Sequence, residues 1–134
     1  MSWQDYISGL MGPDMRDAVI CGYKPFSVWA AESGGELCKI TAAEVSALVS
    51  EDHSSFFTNG LTIAGIRCSL LRDNFADSFT LDVRTKATEG PTYNVAIAKT
   101  CTALIVLMGK DGTHGGVLNT KVHTFAKYLR EQGM

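Results

Sequence analysis

The feature that most constrains the fold is a run between Leu61 and Met108 in which apolar and polar side chains alternate. Apolar residues recur there at every second position, as in Phe79, Leu81, Val83 and again in Tyr93, Val95, Ile97. A period of two is typical of strands that have one buried and one more polar face. The stretch 103–108 is apolar throughout, which predicts a strand in the middle of the sheet. Because the connections between these strands are short, we expect an antiparallel sheet.

A helix is predicted at the start of the chain. Ser2 and Asp5 have the spacing of a capping box, in which two residues satisfy each other's backbone N–H groups. The apolar residues that follow fall on one helical stripe, namely Trp3, Tyr6, Ile7, Leu10 and Met11. Gly12-Pro13 ends the helix. Two short extended stretches come next, and Tyr23-Lys24-Pro25 between them predicts a hairpin.

Further helices are predicted on both sides of the alternating run. Thr41 and Glu44 form a second capping box, and a short helical turn over residues 52–59 follows it. The last helix is expected to run from about Asn119, a favourable N-cap, to Gln132. Helices packed on the faces of an antiparallel sheet make an α+β domain, and we expect residues 1–134 to form one such domain.

The composition is that of a globular protein: hydrophobic residues make up 46% of the 134 residues and charged residues 19%. The net charge of −2 hides an asymmetry. Residues 1–59 carry three basic and eight acidic side chains, whereas residues 60–134 carry nine basic and six acidic ones. The second half therefore favours an acidic protein surface or anionic lipid head groups as a partner. The asymmetry is too weak to indicate nucleic-acid binding.

Nothing near the N-terminus has the pattern of a targeting segment, and no apolar run approaches the length of a transmembrane segment. The cysteines are widely spaced, without a Cys-x-x-Cys motif, at Cys21, Cys38, Cys68 and Cys101. We therefore expect reduced, partly buried thiols in a cytoplasmic protein, with no disulfide and no zinc site.

The glycine-rich stretch 109–116 has the composition of a phosphate-binding loop but not its spacing. Leu104 and Asp111 stand where such a loop needs Gly and Ser or Thr. We expect instead a strand-to-helix connection in which Gly supplies unusual backbone angles. His114 in this loop belongs to no catalytic or metal-ligand pattern, which favours a surface or interface role. No nucleophile or carboxylate pair stands out, so the sequence predicts a protein that is not an enzyme and has no cofactor and no metal.

The aromatic residues allow two interpretations. Trp3 and Tyr6 share one side of the first helix, and Trp29 and Tyr128 would join them if the terminal helices lie side by side. The rings could simply pack between helix and sheet. Alternatively, they could form a shallow groove for a polyproline II segment, whose bare carbonyls would accept hydrogen bonds from indole and phenol groups.

Basic residues recur along the predicted strands and the turn after them, at Arg67, Arg72, Arg84, Lys86, Lys99 and Lys110. Arg84 and Lys86 are two residues apart and should point to the same side of a strand. Such charges either form ordinary solvated surface or meet an acidic protein or a lipid.

Short motifs along most of the chain resemble the animal profilin family. In chain order they are Trp3-x-x-Tyr6, Gly22-Tyr23, Val28-Trp29-Ala30-Ala31, Asn59-Gly60-Leu61-Thr62, Asp82-x-Arg84-Thr85-Lys86, Pro91-Thr92-Tyr93-Asn94-Val95, Leu107-Met108-Gly109-Lys110 and His114-Gly115-Gly116. The C-terminal Ala126-Lys127-Tyr128-Leu129-Arg130 is more similar to the vertebrate profilin-2 type than to the profilin-1 type.

The resemblance implies a sheet of about seven antiparallel strands, with the N- and C-terminal helices on one face and the shorter helices on the other. It implies a monomer of the cytoplasm and cytoskeleton that binds monomeric actin, promotes its nucleotide exchange and regulates filament assembly. Proline-rich proteins and phosphatidylinositol bisphosphate are its further implied ligands.

Each implied activity has its own residues. The proline-rich site would use Trp3, Tyr6, Trp29, Tyr128, Leu129 and Met134. The actin face would draw on Phe57, Arg67, Leu70, Arg72, Arg84, Lys86, Thr92, Asn94, Lys110, His114, Gly116, Asn119 and Lys121. The phosphoinositide site would overlap the actin face at Arg67, Arg84 and Lys86.

The chain departs from the family pattern at a few of these places. Met134 stands where vertebrate members usually carry an aromatic residue, and Gly9 where they have an Asn that donates a hydrogen bond in the proline groove. Thr120 and Thr124 replace a common Lys and a common acidic residue on the actin side. The segment 73–79 is shorter than usual by about two residues.

A different class of protein is the alternative: a small-molecule-sensing α+β domain without actin binding. It would need a polar group or a Cys facing an internal cavity, whereas the apolar alternation here suggests a filled core.

Overall fold

The computed structural model describes residues 2–87 and 89–134. Within them, seven strands form one sheet. The strands are β1 (Met15–Tyr23), β2 (Phe26–Ala31), β3 (Leu61–Ile63), β4 (Ile66–Asn74), β5 (Thr80–Thr85), β6 (Asn94–Lys99) and β7 (Ala103–Gly109). They lie side by side in the order β2-β1-β7-β6-β5-β4-β3, and every neighbouring pair is antiparallel. The predicted α+β class and antiparallel sheet are confirmed.

The helices are α1 (Trp3–Leu10), α2 (Ala42–Val49), α3 (Ser54–Asn59), α4 (Phe75–Ser78) and α5 (Gly115–Glu131), with a 3₁₀ turn at Leu37–Lys39. Both α1 and α2 begin where the sequence places their caps, whereas α4 was not predicted. Both predicted capping boxes form. The backbone N–H of Asp5 donates to the Ser2 hydroxyl at 3.2 Å, and that of Ser2 donates to the Asp5 carboxylate at 3.1 Å. Thr41 and Glu44 cap α2 in the same way.

The sheet has a hydrophobic core on each face. On one face, α1 and α5 cover a cluster that includes Ile7, Ile20, Ile105, Leu118 and Leu129. On the other, α2 and the 3₁₀ turn cover a cluster that includes Leu37, Leu48, Leu81, Ile97 and Val106. The two terminal helices therefore share one face, as predicted. Every residue of β7 is buried, which confirms its central place.

The polar face predicted for β6 does not exist, because both faces of this strand are covered. Val95, Ala96, Ile97 and Ala98 are all buried. Ala96 and Ala98 belong to the core under α5. Because the alanine side chains are small, α5 packs close to the backbone of β6.

The last helix starts earlier than predicted. It begins at Gly115, and Asn119 lies inside it rather than at its N-cap. The Asn119 side-chain amide donates to the Asp82 carboxylate at 2.8 Å and to the Thr80 hydroxyl at 3.3 Å, so it anchors α5 to β5. In the preceding loop Gly112 has the left-handed φ of 85° that favours glycine, whereas Gly115 and Gly116 do not. The prediction of unusual angles was correct for Gly112 only.

The predicted position of Phe79 on the buried face of Leu81 and Val83 is also wrong. Phe79 ends α4 with a left-handed φ of 61° and is 43% exposed. The guanidinium of Arg130 lies 5.1 Å from its ring centroid. The strand alternation restarts at Thr80, which is fully buried.

Candidate functional site

Aromatic side chains from α1, β2 and α5 form one contiguous patch, which we call the aromatic cluster: Trp3, Tyr6, Trp29 and Tyr128. The Trp3 ring lies 4.7 Å from that of Trp29 and 5.3 Å from that of Tyr6, measured between centroids. Tyr6 lies 6.3 Å from Tyr128 on α5. These separations are within the range at which aromatic rings attract one another. The structure therefore brings together the four rings that the sequence left on three separate segments.

Local backbone features hold the rings in place. A Cβ atom on Gly22 would lie only 2.6 Å from Cζ2 of Trp29, so glycine is required beneath the indole. The Trp29 indole N–H donates to the hydroxyl of Ser27 at 3.0 Å. The side-chain amide of Gln4 donates to the Ala31 carbonyl at 3.2 Å, which fastens α1 to the end of β2.

Tyr6 is the residue of the cluster whose pKa is shifted by its neighbours. Hydrogen bonding to the Tyr128 phenol, followed by partial burial, raises the pKa of Tyr6 above its ordinary value. Its hydroxyl therefore stays protonated. Within residues 2–87 and 89–134 the Trp3 indole N–H makes no hydrogen bond, and no buried side-chain donor lacks a partner, so this N–H is reached by solvent.

The two remaining residues of the predicted proline-rich site are placed differently. Leu129 is fully buried in the core under α5 and cannot touch a ligand, so its inclusion in the contact set was wrong. It supports the cluster from below. Met134 packs partly buried against the same core. Its backbone N–H donates to the Leu129 carbonyl at 2.9 Å, and its carbonyl accepts from the Thr102 N–H at 3.2 Å.

A second surface, which we call the basic surface, carries Arg67, Arg72, Arg84 and Lys86. All four are exposed, on β4, β5 and just beyond β5. Arg84 is the one fixed most firmly. Its guanidinium donates to the Thr92 hydroxyl at 2.9 Å and to the Asn94 side-chain carbonyl at 3.3 Å.

Two shallow cavities frame the basic surface. One, of about 440 Å³, is lined by residues that include Arg72, Asn94, Gly116 and Asn119. The other, of about 520 Å³, is lined by Arg67, Lys86, Ala87 and Glu89. The Asn94 side-chain amide donates to the Thr113 carbonyl at 2.9 Å and so links β6 to the turn before α5. Much of the predicted actin face is therefore contiguous. Phe57 on α3 is 60% exposed, and Lys110 and His114 are also exposed.

In the part of the chain that the structure describes, the cations of this surface have no carboxylate within 4.0 Å, although Asp82 and Glu89 line the same cavities. The one His–carboxylate contact in that range joins His53 to Asp73, with 3.0 Å between Nδ1 and Oδ2, and it is an ion pair only when the imidazole is protonated. Unpaired Arg and Lys side chains on one face attract anionic partners over about a Debye length, roughly 8 Å at physiological salt.

Two residues of the predicted actin face are placed differently from the others: Leu70 is buried, and Lys121 lies toward α1. Leu70 is 7% exposed and points into a core, whereas its neighbour Leu71 is 55% exposed. Leu71 faces away from the core by normal alternation with Leu70, and the register shift in the β4–β5 pairing between Leu70 and Arg72 keeps Arg72 exposed beside it. Lys121 lies toward α1, where its Nζ would be 3.5 Å from a Cβ on Gly12. Leu71 is an exposed apolar residue that sequence reasoning missed, because in the pair Leu70-Leu71 the sequence does not say which leucine faces the core.

Other kinds of site find no support in the described residues. Among them, no group of three or more His, Cys, Asp or Glu is arranged to hold a metal ion, and none of their helices is long and apolar enough to span a bilayer. All four cysteines are free; Cys21 and Cys68 are buried, whereas Cys38 and Cys101 are exposed. Burial raises the pKa of Cys21 and Cys68 to about 12, which keeps both thiols protonated and unreactive.

The family model that matches this chain is Profilin, over residues 1–134. The chain is 49% identical over 133 residues to profilin-1 of Mus musculus, which covers 96% of this chain and 95% of the relative. It is 46% identical over 136 residues to profilin-2 of Rattus norvegicus, with 98% and 97% covered. Mouse profilin IIa in complex with a double repeat from the FH1 domain of mDia1 matches with a TM-score of 0.96 and 42% identity, over 100% of both chains. The likeness of the C-terminal segment to profilin-2 is thus local.

Proposed function

The chain belongs to the profilin family, and on that premise we propose that it binds monomeric actin, promotes nucleotide exchange on actin and regulates filament assembly. Proline-rich segments and phosphatidylinositol bisphosphate are its other ligands. It acts by binding and catalyses no reaction of its own. Its expected place is the cytoplasm and its cytoskeleton.

The observation that carries the proposal is the aromatic cluster. A polyproline II helix presents flat ring faces and carbonyl groups without internal partners. Trp3 and Trp29 offer large ring faces 4.7 Å apart, and the Trp3 N–H is a donor for those carbonyls. Rings that are already packed against each other lose little freedom when a ligand binds. The complex of mouse profilin IIa with an FH1 repeat supports the same class of ligand for this chain.

The basic surface supports the second activity. Arg72, Arg84 and the groups around them form a broad patch that includes apolar Leu71 and polar Asn119, which suits a protein partner with an acidic surface. We assign actin to this side of the molecule, with Phe57 and His114 at its margins.

Phosphatidylinositol bisphosphate would use the same cations. Arg67 and Lys86 line one cavity, and Arg84 is exposed on the neighbouring strand. One patch of unpaired cations serves either an anionic head group or actin, but not both at once. Competition between the two partners follows from this overlap.

Affinity for poly-L-proline tests the proposed function most simply. The folded protein is expected to be retained on a poly-L-proline resin and to be eluted by a free proline decamer. A Leu71→Ser variant, altered on the other surface, is expected to be retained equally well. If the parent protein passes through the resin, the proposed proline-rich ligand is wrong.

A further inference from the structure

The side chain of His53 is fully buried, at the point where α2, α3 and β4 meet. His53 is the N-cap residue of α3. Its Nε2 lies 2.8 Å from the Leu48 carbonyl oxygen at the end of α2, and its Nδ1 lies 3.0 Å from Oδ2 of Asp73 on β4. One imidazole therefore joins three elements of the fold.

Both partners of this imidazole are hydrogen-bond acceptors. A carbonyl oxygen and an ionised carboxylate only accept, and an imidazole donates from both nitrogens only when it carries its second proton. The Asp73 carboxylate is oriented for this contact, because its other oxygen, Oδ1, accepts the Phe75 backbone N–H at 3.0 Å. The two hydrogen bonds of His53 are therefore complete only when the pair is an imidazolium and a carboxylate.

Two aromatic rings enclose the imidazole. The Phe56 ring on α3 stacks on it, with 5.2 Å between centroids and 10° between planes. The Phe75 ring on α4 lies 4.8 Å away at 74°. Because the face of an aromatic ring attracts a cation, the contact with Phe56 becomes stronger when His53 is protonated. The proton thus strengthens the attachment of α3 as well as the pairing with β4.

The other charged side chains on the surrounding elements are Glu51 and Asp52 in the same segment, Glu44 on α2, Arg67 and Arg72 on β4, Asp77 on α4, and Lys99 on β6 beyond the Phe75 ring. Within the described ranges, none of these carboxylates lies within 4.0 Å of the imidazole, and none of these cations lies within 4.0 Å of Asp73. Glu44 and Asp52 already accept backbone N–H groups. Asp73 is therefore the charged group that responds directly when His53 gains or loses a proton.

The His53–Asp73 pair holds together two elements of the proposed actin face. Phe57 on α3 is 60% exposed, and Arg72 immediately precedes Asp73 on β4. The relative position of these two exposed side chains depends on how firmly α3 is attached to β4. A buried group that titrates between them is therefore able to change the shape of this face.

We propose that His53 is a positioning residue for actin binding, and that its protonation fastens Phe57 and Arg72 in the arrangement that actin binds. Histidine is the side chain that changes charge between about pH 5 and pH 8. A neutral imidazole has one N–H, so either the Leu48 carbonyl or the Asp73 carboxylate then lacks its donor, which is unfavourable in a buried position. The attachment of α3 weakens, and affinity for actin falls as pH rises. The inference rests on the proposed function, because it concerns the face assigned to actin.

Calorimetric titration with monomeric actin at about pH 6 and about pH 8 tests the proposal. We expect the parent protein to bind about threefold more tightly at the lower pH, an effect comparable to that of one hydrogen bond. Asp73→Asn is the diagnostic variant. Its side-chain N–H donates to a neutral imidazole while its oxygen still accepts the Phe75 N–H, so every hydrogen bond is retained without the second proton. This variant is expected to lose the dependence on pH, although it keeps His114 on the same face.

Two further measurements separate the pair from its surroundings. Glu51→Gln removes the same charge from an exposed position two residues away and is expected to keep the pH dependence of the parent. In NMR spectra of the parent protein, identified by comparison with His53→Gln, the number of protonated ring nitrogens of His53 is expected to fall from two to one over the pH interval in which actin affinity falls.

The inference is wrong if Asp73→Asn keeps the pH dependence, if Glu51→Gln loses it, or if the parent protein binds actin equally well at both pH values. A His53 ring that stays in one protonation state while actin affinity changes also overturns it, and this readout does not depend on the folding of Asp73→Asn. If the parent protein fails to bind actin at either pH, the proposed function fails and the inference with it.

Discussion

The aromatic cluster and the basic surface are carried by the same sheet but are held in different ways. In the cluster, ring packs on ring, with Trp3 and Trp29 4.7 Å apart and Gly22 making room beneath Trp29. On the basic surface, Arg84 has two neutral hydrogen-bond partners, and the other cations extend into solvent without a carboxylate partner in the described ranges. The aromatic cluster is therefore preorganised for its ligand, whereas the basic surface is a set of exposed charges with few fixed positions.

The difference predicts how each surface discriminates. A preformed apolar site recognises shape, and its affinity depends little on salt because few charges are neutralised. A set of unpaired cations acts at longer range, weakens as salt rises, and accepts any anionic partner of suitable size. The first surface should therefore be selective, and the second should be shared among partners that compete.

The largest effect is expected from Trp3→Ala. Its ring contacts both Trp29 and Tyr6, and truncating a central aromatic anchor costs about 2 kcal/mol or more, which is about thirtyfold in affinity. Calorimetric titration with a proline decamer should show this loss, while actin affinity stays within about twofold of the parent. A folded Trp3→Ala variant that binds the decamer normally would place the site elsewhere.

The next largest effect is expected from Arg84→Glu. Reversing this charge removes an attraction, adds a repulsion and breaks the hydrogen bonds to Thr92 and Asn94. We expect losses on the order of 1–2 kcal/mol for both actin and phosphoinositide vesicles, measured by sedimentation, with decamer affinity unchanged. Lys127→Glu, an exposed charge reversal on α5, is the matched control. Unchanged binding of Arg84→Glu to both partners would mean that the two do not share this patch.

A smaller effect, in the opposite direction, is expected from Met134→Tyr. Methionine covers an apolar face well but lacks a phenol donor. One added hydrogen bond contributes about 1 kcal/mol or less, so decamer affinity should rise about threefold. The backbone of Met134 is fixed by Thr102 and Leu129, which keeps the new side chain near the core under α5. An unchanged or lower affinity would show that the chain end does not reach the cluster.

The smallest effect is expected from pH. Hydrogen bonding to Tyr128 raises the pKa of Tyr6 above its ordinary value, so the Tyr6 hydroxyl remains a donor through neutral and mildly alkaline pH. Decamer affinity measured between pH 6 and pH 9 should vary by less than about twofold. A larger change would reveal a contact with the ligand from a group that titrates in this range.

Local patterns in the sequence were enough to predict most of the fold. The alternation in residues 61–108 predicted strands, and the Ser2 and Thr41 capping boxes predicted where two helices begin. Both signals depend on neighbours a few residues away. The spacing of Trp3 and Tyr6 set one helix face, and the sequence brought Trp29 and Tyr128 to it only on the condition that the terminal helices lie side by side, which they do.

What the sequence could not predict depends on how strands pair across the sheet. The bulge that leaves both Leu71 and Arg72 exposed is a property of the β4–β5 pairing. The contact of exposed Phe79 with Arg130 and the hydrogen bond of Asn119 to β5 join residues that lie far apart along the chain. The groove between α1 and α5 likewise forms only when the fold brings Gly9 and Val117 together.

The central claim is that one basic surface serves two anionic partners while the aromatic cluster works independently of both. Co-sedimentation of the protein with phosphoinositide vesicles tests it most directly, with monomeric actin as one titrant and the proline decamer as the other. The account predicts that vesicle-bound protein falls steadily as actin rises and stays constant as the decamer rises. Vesicle binding that is insensitive to actin, or that the decamer displaces, would contradict it.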